Sequence, residues 1–368
     1  MKVTLYIWLA GTIAFLISAC SQQEKPKAAY SDRSVTPDSI FTAKFYPRGD
    51  GFTGGDATYS VELPDGRTLW IFGDTFIGSV TNDNRRIKTN PSYIRNSFVL
   101  FEDGELKTLQ QGEPSEFKSM MIPPEVADGT SGLSELQLWY WPGDAFIENG
   151  KLNVFVSKFF QKDHSDMWSF EFRGTELIEF SLPDLKPQTV HRFETLDSVH
   201  YGHAVYEDST YTYIYGLKKQ KAYVARAVKG QVRGPWQFYD GTDWVNEAGR
   251  AAPMMTEMGS EQFSVTKHND TCVLIMQDTD LGRKIFSHTS ATPYGPWKNR
   301  KVIYETPIPE NCESCWTYNA LAHPQFTADD LLLVSYNTNS MKMEDHYSNA
   351  LIYRPRFIRI PLELIMSR

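Results

Sequence analysis

The chain has little cysteine, no basic clusters and no long helical pattern. Its 368 residues include four cysteines, and the three that remain once the leader cysteine is set aside are by themselves weak evidence for a zinc site, which usually needs four ligands. The 37 Lys and Arg are outnumbered by 45 Asp and Glu, for a formal net charge of −8. Nucleic-acid binding needs clustered basic residues, so it is excluded as the main function. No stretch of useful length shows helical apolar spacing, which argues against a helical fold.

The first 20 residues have the layout of a lipoprotein export signal. Lys2 is followed by a largely apolar stretch over 5–17, and small residues precede Cys20. This stretch is too short and too close to the start for a stable membrane span. We expect a signal peptide over 1–19 and lipid on the thiol and the new amine of Cys20, which would anchor the exported chain firmly to the bacterial cell envelope. Ser21 is compatible with the outer membrane, and an ordinary secretory signal is the alternative.

Residues 20–39 are polar, contain two prolines and show no apolar periodicity. They predict a flexible tether ahead of a domain over 40–368. Within that domain Cys272 lies in an apolar strand, as a small buried hydrophobe would. Cys312 and Cys315 form a close pair. In an exported protein the pair favours a local disulfide over a metal site, although spacing alone leaves both open.

What the chain has instead is a block that recurs five times. Each copy places an ionisable residue before a short apolar strand, a polar turn and a second apolar strand. The first copy runs over 55–74, with its turn at Pro64-Asp65-Gly66. The leading residues of the five copies are Asp56, Asp144, His203, Glu261 and His323.

The spacing of the copies predicts the architecture. The steps from Asp144 to His203, Glu261 and His323 are 59, 58 and 62 residues. A third strand follows each hairpin, and Gly-Pro-Trp occurs at 234–236 and again 61 residues later at 295–297. Repeats of roughly four strands at this period indicate an all-β fold, a five-bladed β-propeller. We expect residues 41–46 to supply an outer strand to the last blade and so close the ring.

The carboxylates among the leading residues suggest chemistry. In a propeller the innermost strands line a central channel, so Asp56, Asp144 and Glu261 should gather at one mouth of it. Carboxylates in one pocket cannot all ionise independently, and at least one pKa should rise. Glycoside hydrolysis needs this difference, since one carboxyl donates a proton while another acts as base or nucleophile.

These residues resemble those of the five-bladed propellers of glycoside hydrolase family 43. The segment Trp141-Pro142-Gly143-Asp144-Ala145-Phe146 is similar to the second-blade motif of that family, and Ser260-Glu261-Gln262-Phe263 to its acid motif. The resemblance implies that Asp56 is the base, Glu261 the acid and Asp144 the residue that tunes the acid.

A closer resemblance is to domain-of-unknown-function families 4185 and 5005. It is carried by Gly66-Arg67-Thr68-Leu69-Trp70-Ile71-Phe72-Gly73-Asp74-Thr75-Phe76 and by Tyr318-Asn319-Ala320-Leu321-Ala322-His323-Pro324. Some relatives of the first group resemble endo-acting arabinan hydrolases, which makes Asp74 a second candidate partner for Asp56. The pairs Asp56/Glu261 and Asp56/Asp74 both remain open.

Other residues are candidates for binding substrate. Sugars stack their C–H faces on aromatic rings, and four aromatic residues lie just ahead of inner strands; burial between blades is the alternative for them. His203 and His323 can contact sugar hydroxyls, hold a water or a channel calcium ion, or simply be satisfied inner-strand residues. We expect no required cofactor and no dedicated metal site. The remaining substrate-binding candidates are Trp139, Tyr140, Trp141, Trp316, Arg95 and Asn96.

The sequence therefore predicts a monomeric, membrane-tethered glycoside hydrolase acting on a poly- or oligosaccharide. A glycan-binding propeller without catalysis is the first alternative, because a fold does not guarantee an activity. A structural surface lipoprotein that binds another protein is the second, and it would not bring carboxylates together.

Overall fold

The structure, a computed structural model, describes residues 34–46, 48–49, 51–88, 93–109, 117–163, 165–166, 168–194, 196–257 and 259–367. The predicted signal peptide, Cys20 and most of the predicted tether lie outside these residues. Within the described ranges, no helix has both the length and the apolar character needed to cross a membrane. Residues 34–368 form one compact unit.

Five antiparallel sheets form the blades. Two elements precede them, the strand β1 (Thr36–Pro37) and the helix α1 (Ser39–Lys44). Blade 1 consists of β3 (Tyr59–Glu62), β4 (Thr68–Phe72), β7 (Ser97–Glu102) and β8 (Glu105–Thr108). Beside it lies a small sheet of β2 (Gly51–Gly55), β5 (Thr75–Gly78) and β6 (Tyr93–Ile94).

Blades 2 and 3 follow in chain order. After the short helix α2 (Pro124–Ala127), blade 2 consists of β9 (Leu138–Glu148), β10 (Lys151–Gln161), β11 (Phe170–Phe180) and β12 (Pro187–Arg192). Blade 3 consists of β13 (His200–Glu207), β14 (Tyr211–Lys218), β15 (Lys221–Val228), β16 (Gln237–Tyr239) and β17 (Trp244–Val245), and a 3-10 turn follows at Ala248–Arg250.

Blades 4 and 5 complete the ring. Blade 4 consists of β18 (Phe263–His268), β19 (Thr271–Gln277), β20 (Lys284–Ser290) and β21 (Lys298–Glu305). Blade 5 consists of β22 (Cys315–Ala328), β23 (Leu331–Ser340), β24 (Pro355–Pro361) and β1, with the helices α3 (Met343–Ser348) and α4 (Leu362–Met366) beside them. Cys312 and Cys315 are disulfide-bonded and Cys272 is a buried thiol, as predicted.

The innermost strands contact one another in a closed ring. β3 contacts β9, β9 contacts β13, β13 contacts β18, β18 contacts β22, and β22 returns to β3. Apolar residues fill the spaces between adjacent blades, as in the cluster that joins blades 1 and 2 around Leu69, Phe98, Val154 and Phe180. The five hairpins, their third strands and the five-bladed propeller are thereby confirmed.

The closing strand differs from the prediction. Residues 41–46 do not form the outer strand, because Asp38 accepts a hydrogen bond from the Phe41 backbone N–H at 2.8 Å and starts α1. The strand is β1, which pairs Thr36 with Arg359 and Pro37 with Ile358 of β24. Thr36 and Pro37, which the prediction assigned to the tether, therefore belong to blade 5.

This closure depends on Asp38, which also forms an ion pair with Arg359 at 2.8 Å. We expect Asp38→Ala to lower the free energy of unfolding by about 1–2 kcal/mol, because a helix cap and a partly shielded ion pair are both lost. Urea denaturation followed by tryptophan fluorescence measures it. The matched control is Asp270→Ala, in the exposed turn between β18 and β19. Equal stability of the two variants would contradict the proposed importance of this contact.

Three inner strands contain a bulge near the start of the repeat. The bulged residues are Gly143-Asp144 in β9, Gly202-His203 in β13 and Asn319-Ala320 in β22. A bulge frees residues from the strand ladder and redirects their side chains, and bulges are frequent beside functional sites. Two of the predicted leading residues, Asp144 and His203, therefore lie outside regular strand pairing.

Candidate active site

Asp56 lies in a turn with unusual backbone geometry. It follows β2, and the next two residues, Ala57 and Thr58, have φ values of 67° and 58°. A β-branched residue such as Thr58 rarely adopts this left-handed conformation. Asn337 stabilises the turn, donating from Nδ2 to Thr58 Oγ1 at 2.9 Å and to the Gly55 carbonyl at 3.2 Å. Strain of this kind clusters at functional sites.

The turn brings Asp56 against the segment that carries Asp74. The Gly73 backbone N–H donates to the Asp56 carbonyl at 3.0 Å. A Cβ added at Gly73 would lie 2.6 Å from Asp56 Oδ1, so a side chain at this position would displace the carboxyl group. Asp74 is the next residue, and its negative charge raises the pKa of Asp56. The structure thus brings Asp56 and Asp74 together.

The environment of Asp56 favours its protonated form. Burial, followed by the charge of Asp74, raises the pKa of Asp56 to about 7. Hydrogen bonds from Tyr318 and Tyr353 act in the opposite direction, and Tyr318 Oη donates to Asp56 Oδ2 at 2.7 Å. Removal from water outweighs these two donors, because the charged form of a buried carboxyl loses more solvation than they return.

Asp74 has cationic and polar donors around it. Trp141 Nε1 donates to Asp74 Oδ1 at 3.0 Å, and Arg95 Nη1 lies 3.4 Å from the same oxygen. Tyr93 is also hydrogen-bonded to Asp74. Arg95 is itself held, because its Nε donates to the Glu135 carbonyl at 3.1 Å and its guanidinium lies 4.2 Å from the centre of the Trp139 ring. These contacts fix the orientation of the Asp74 carboxylate.

A chain of hydrogen bonds extends from Asp56 into blade 5. Tyr318 Oη, which donates to Asp56, accepts from Asn339 Nδ2 at 2.9 Å. Asn339 Oδ1 accepts in turn from His346 Nε2 at 2.8 Å. His346 is buried and stacks on Phe76. The Tyr318 hydroxyl is thereby oriented toward the carboxyl group.

Asp144 is a half-buried carboxyl with a different set of contacts. Its Oδ1 accepts from the Ala145 backbone N–H at 2.8 Å, and its Oδ2 accepts from the Val205 N–H at 2.7 Å. Burial raises the pKa of Asp144 to about 7 despite these donors. Since both oxygens bind backbone groups, Asp144 joins blade 2 to blade 3. Partial removal from water raises the pKa of Glu261 and the charge of Asp144 is not a cause of that shift, so the expectation that Asp144 tunes Glu261 is not supported.

Glu261 lies beside His200 and His203. Tyr59 links Glu261 to the other leading residues. The Tyr59 phenol donates a hydrogen bond to the His203 carbonyl at 3.1 Å. After burial, the charges of Asp144, Glu261 and Asp56 together raise the pKa of Tyr59. The charges of all three carboxylates therefore act on one phenol, whereas Asp74 is the charged group with a leading effect on the pKa of Asp56. Of the two open pairs, the geometry favours Asp56/Asp74.

Three predicted binding residues are structural instead. Tyr140 is fully buried and its hydroxyl donates to Glu176. Asn96 is fully buried and donates to the carbonyls of Met121 and Tyr140. His323 is 1% exposed, with Ser60 at 2.7 Å from Nδ1 and Ser335 at 2.8 Å from Nε2. No polar atom of these side chains is left for a sugar, so the prediction was wrong for them.

The predicted aromatic platforms also differ from one another. Trp139 and Trp316 are 1% and 8% exposed, which leaves no open ring face for a sugar. Trp141 is partly exposed, and it packs on Phe159 and Phe170 while donating to Asp74. Trp141 is thus the one predicted platform that combines accessible surface with contact to the carboxyl pair.

Several residues of the site were missed by sequence reasoning. Tyr93, Tyr318 and Tyr353 contact the carboxyl pair, yet they come from β6, β22 and the segment before β24. Glu135 lies near Arg95 and Asp74, and burial raises its pKa. None of these residues occupies the leading position of a repeat, so the periodicity contained no signal for them.

The fold and site together define a five-bladed β-propeller with a half-buried carboxyl pair. Residues 38–362 match the family described as domain of unknown function 5005, DUF5005. Since this match covers most of the chain, the protein belongs to that family. A search of curated proteins found no significant match.

Solved structures place the fold in a wider context. A protein from Bacteroides ovatus ATCC 8483, provisionally described as a hydrolase, has a TM-score of 0.78 and 23% identity, covering 90% of this chain and 92% of that one. A GH43_1 enzyme from Xanthomonas citri complexed with xylotriose has a TM-score of 0.48 and 14% identity, and the match covers 87% of this chain and 91% of that one. An α-L-arabinanase mutant from Cellvibrio cellulosa has a TM-score of 0.44 and 9% identity, and the match covers 83% of this chain and 91% of that one. The first likeness shows the fold, and the other two are too distant to carry an argument.

Proposed function

We propose that this protein is a glycoside hydrolase whose reacting groups are Asp56 and Asp74. One observation carries the proposal: two adjacent carboxyl groups have environments that separate their roles. Asp56 is half-buried, is hydrogen-bonded to Tyr318 and Tyr353 and has a pKa of about 7, whereas Asp74 receives hydrogen bonds and an ion pair. Paired carboxyls with opposed environments are the requirement for acid and base or nucleophile roles in glycoside hydrolysis.

The roles follow from these contacts. Asp56, protonated near neutral pH, donates its proton to the glycosidic oxygen as the bond breaks. Asp74 acts on the anomeric carbon, either directly as nucleophile or through a water molecule that it activates. Arg95 and Trp141 hold the carboxylate in one orientation, which reduces the reorganisation needed at the moment of reaction.

Trp141 is the proposed contact for sugar next to the reacting groups. Its indole N–H donates to Asp74, and its ring packs on Phe159 and Phe170. The part of the ring that stays exposed can receive the C–H surface of a pyranose or furanose ring. Anchoring through Cys20 to the outer membrane belongs to the same proposal, as it places the enzyme where envelope or environmental glycans are met.

A non-catalytic glycan-binding propeller is the second candidate function, supported by the same aromatic surface. A binding function does not explain why Asp56, whose pKa is raised, should lie beside the carboxylate of Asp74. Burial of a carboxyl without compensation costs stability, and a binding site could use an amide instead. The carboxyl pair therefore favours catalysis.

The direct test is release of reducing ends from a panel of plant and bacterial polysaccharides. We expect the wild-type protein to release them from at least one glycan, and the double variant Asp56→Asn/Asp74→Asn to release none. Asp65→Asn, in the exposed turn of blade 1, is the matched control and should keep full activity. Saturable glycan binding without product from the wild type would favour the binding function and overturn the proposal.

A further inference from the structure

A second cluster of chemically active side chains includes neither carboxyl of the proposed reacting pair. His200 and His203 belong to β13 of blade 3, and Glu261 lies just ahead of β18 of blade 4. One ring nitrogen from each histidine and one carboxylate oxygen all lie within 4.8 Å of one another. The two imidazole rings have centroids 4.2 Å apart. Donors of these types at this spacing are those that bind divalent metal ions.

The backbone conformation at His203 determines the direction of its side chain. Pairing of β13 with β14 passes from Tyr201 to Ala204, which leaves Gly202 and His203 in a bulge. Gly202 has φ of 101°, and a Cβ there would lie 2.6 Å from the Phe155 Cβ. Only glycine satisfies both conditions, so the bulge and the direction of His203 are closely specified.

His203 has a free ligand atom in a buried position. The residue is 7% exposed, and its Nε2 is buried with no hydrogen-bond partner among the described residues. The ring is hydrogen-bonded to the backbone carbonyl of Glu261, a contact that leaves Nδ1 as the donor. Buried polar atoms are rarely left unpaired. A metal-binding histidine typically donates its other ring N–H to a carbonyl or carboxylate, and His203 has this arrangement.

His200 has a comparable support. Ser157 Oγ of blade 2 is hydrogen-bonded to His200 Nε2, and the ring packs on Phe172 with centroids 4.2 Å apart. These contacts fix the ring and leave Nδ1 as the nitrogen that can ligate. Glu261 is exposed, so its carboxylate can move the short distance that coordination requires.

We propose that His200, His203 and Glu261 form a site for one divalent ion of the zinc type, which joins blade 3 to blade 4. Two imidazoles and one carboxylate suit zinc or cobalt, whereas calcium takes about six to eight oxygen ligands. Three protein ligands leave a coordination position for water or a sugar hydroxyl. The site assigns to Glu261 a ligand role in place of the predicted acid role.

The test is titration of chelator-treated protein with Zn²⁺, Co²⁺ and Ca²⁺ separately, by calorimetry. In the separate titrations we expect one ion of Zn²⁺, or one ion of Co²⁺, to bind per chain, and no comparable binding of Ca²⁺. The bound ion should raise the melting temperature of the protein, and bound Co²⁺ should absorb visible light. Glu261→Gln and His203→Gln should each weaken Zn²⁺ binding by about 100-fold or more. His191→Gln, on the outer strand of blade 2, is the matched control and should bind as wild type.

Circular dichroism checks that each variant is folded, and the exposed position of Glu261 keeps its variant informative if His203→Gln unfolds. Failure to bind Zn²⁺ and Co²⁺, binding of Ca²⁺ alone, or equal affinity in wild type and Glu261→Gln would each overturn the proposal. The Asp56→Asn/Asp74→Asn double variant should bind Zn²⁺ as wild type. The test of the metal site is therefore independent of the proposed hydrolase activity.

Discussion

Asp74→Ala is expected to reduce kcat/KM on a cleavable glycan by about 10³-fold or more. Asp74 is the carboxylate that Arg95 and Trp141 orient, at 3.4 Å and 3.0 Å from its Oδ1. Its removal eliminates the group that acts on the anomeric carbon and leaves the Arg95 guanidinium without its anion. Each tenfold loss corresponds to about 1.4 kcal/mol of transition-state stabilisation. Initial rates of reducing-end release measure the effect, with Asp65→Ala as the matched surface control.

The role of Asp74 can be separated from a loss of folding by chemical rescue. Azide is a small anionic nucleophile that fits the space left by a deleted carboxylate. We expect azide to restore turnover of an aryl glycoside by Asp74→Ala and to appear in a glycosyl azide product detected by mass spectrometry. Azide should have no such effect on Asp65→Ala. Wild-type rates in Asp74→Ala without azide would exclude Asp74 from the reaction and return the choice to Asp56 and Glu261.

Most of the architecture was readable from the sequence because propeller blades repeat. The turn at Pro64-Asp65-Gly66 and the two Gly-Pro-Trp segments repeat local chemistry, and local chemistry determines hairpins. The closing strand was assigned to the wrong residues for a physical reason. Phe41 and Phe45 are apolar at positions that suit a strand, but the cap supplied by Asp38 makes 39–44 helical, and both rings pack in the core instead.

The site was less predictable because it depends on contacts between blades. The leading positions identified Asp56, but its preference for Asp74 over Glu261 follows from the turn at Ala57-Thr58 and the close approach of Gly73. His203 and His323 hold equivalent positions, yet one has an unpaired nitrogen and the other has serine partners on both. A single sequence contains no local signal for such differences, which arise from residues on neighbouring strands.

Asp56→Asn is expected to show a loss that depends on the leaving group and on pH. For substrates with a poor leaving group, removal of the general acid should cost about 10²–10⁴-fold in kcat/KM. For aryl glycosides with an acidic phenol the loss should be much smaller, since departure then needs no proton. The pKa of about 7 for Asp56 places the alkaline limb of the wild-type kcat/KM profile near that pH. Wild-type activity should fall as Asp56 ionises, and this limb should be absent in Asp56→Asn.

The same pKa shift predicts a change in stability with a defined sign. The folded-state pKa of Asp56 is raised from 3.8 to about 7, so the folded state binds its proton more tightly than the unfolded chain. Its contribution to stability is present below pH 3.8 and is lost as the pH rises through 7. Asp144 acts in the same direction and remains in the variant, so Asp56→Asn should lose less stability than wild type between pH 4 and 8. If wild type and Asp56→Asn had parallel curves of stability against pH, or if Asp56→Asn kept the alkaline limb of its kcat/KM profile, Asp56 would not be the general acid. The assignment of Asp56 and Asp74 as the reacting pair would then fail.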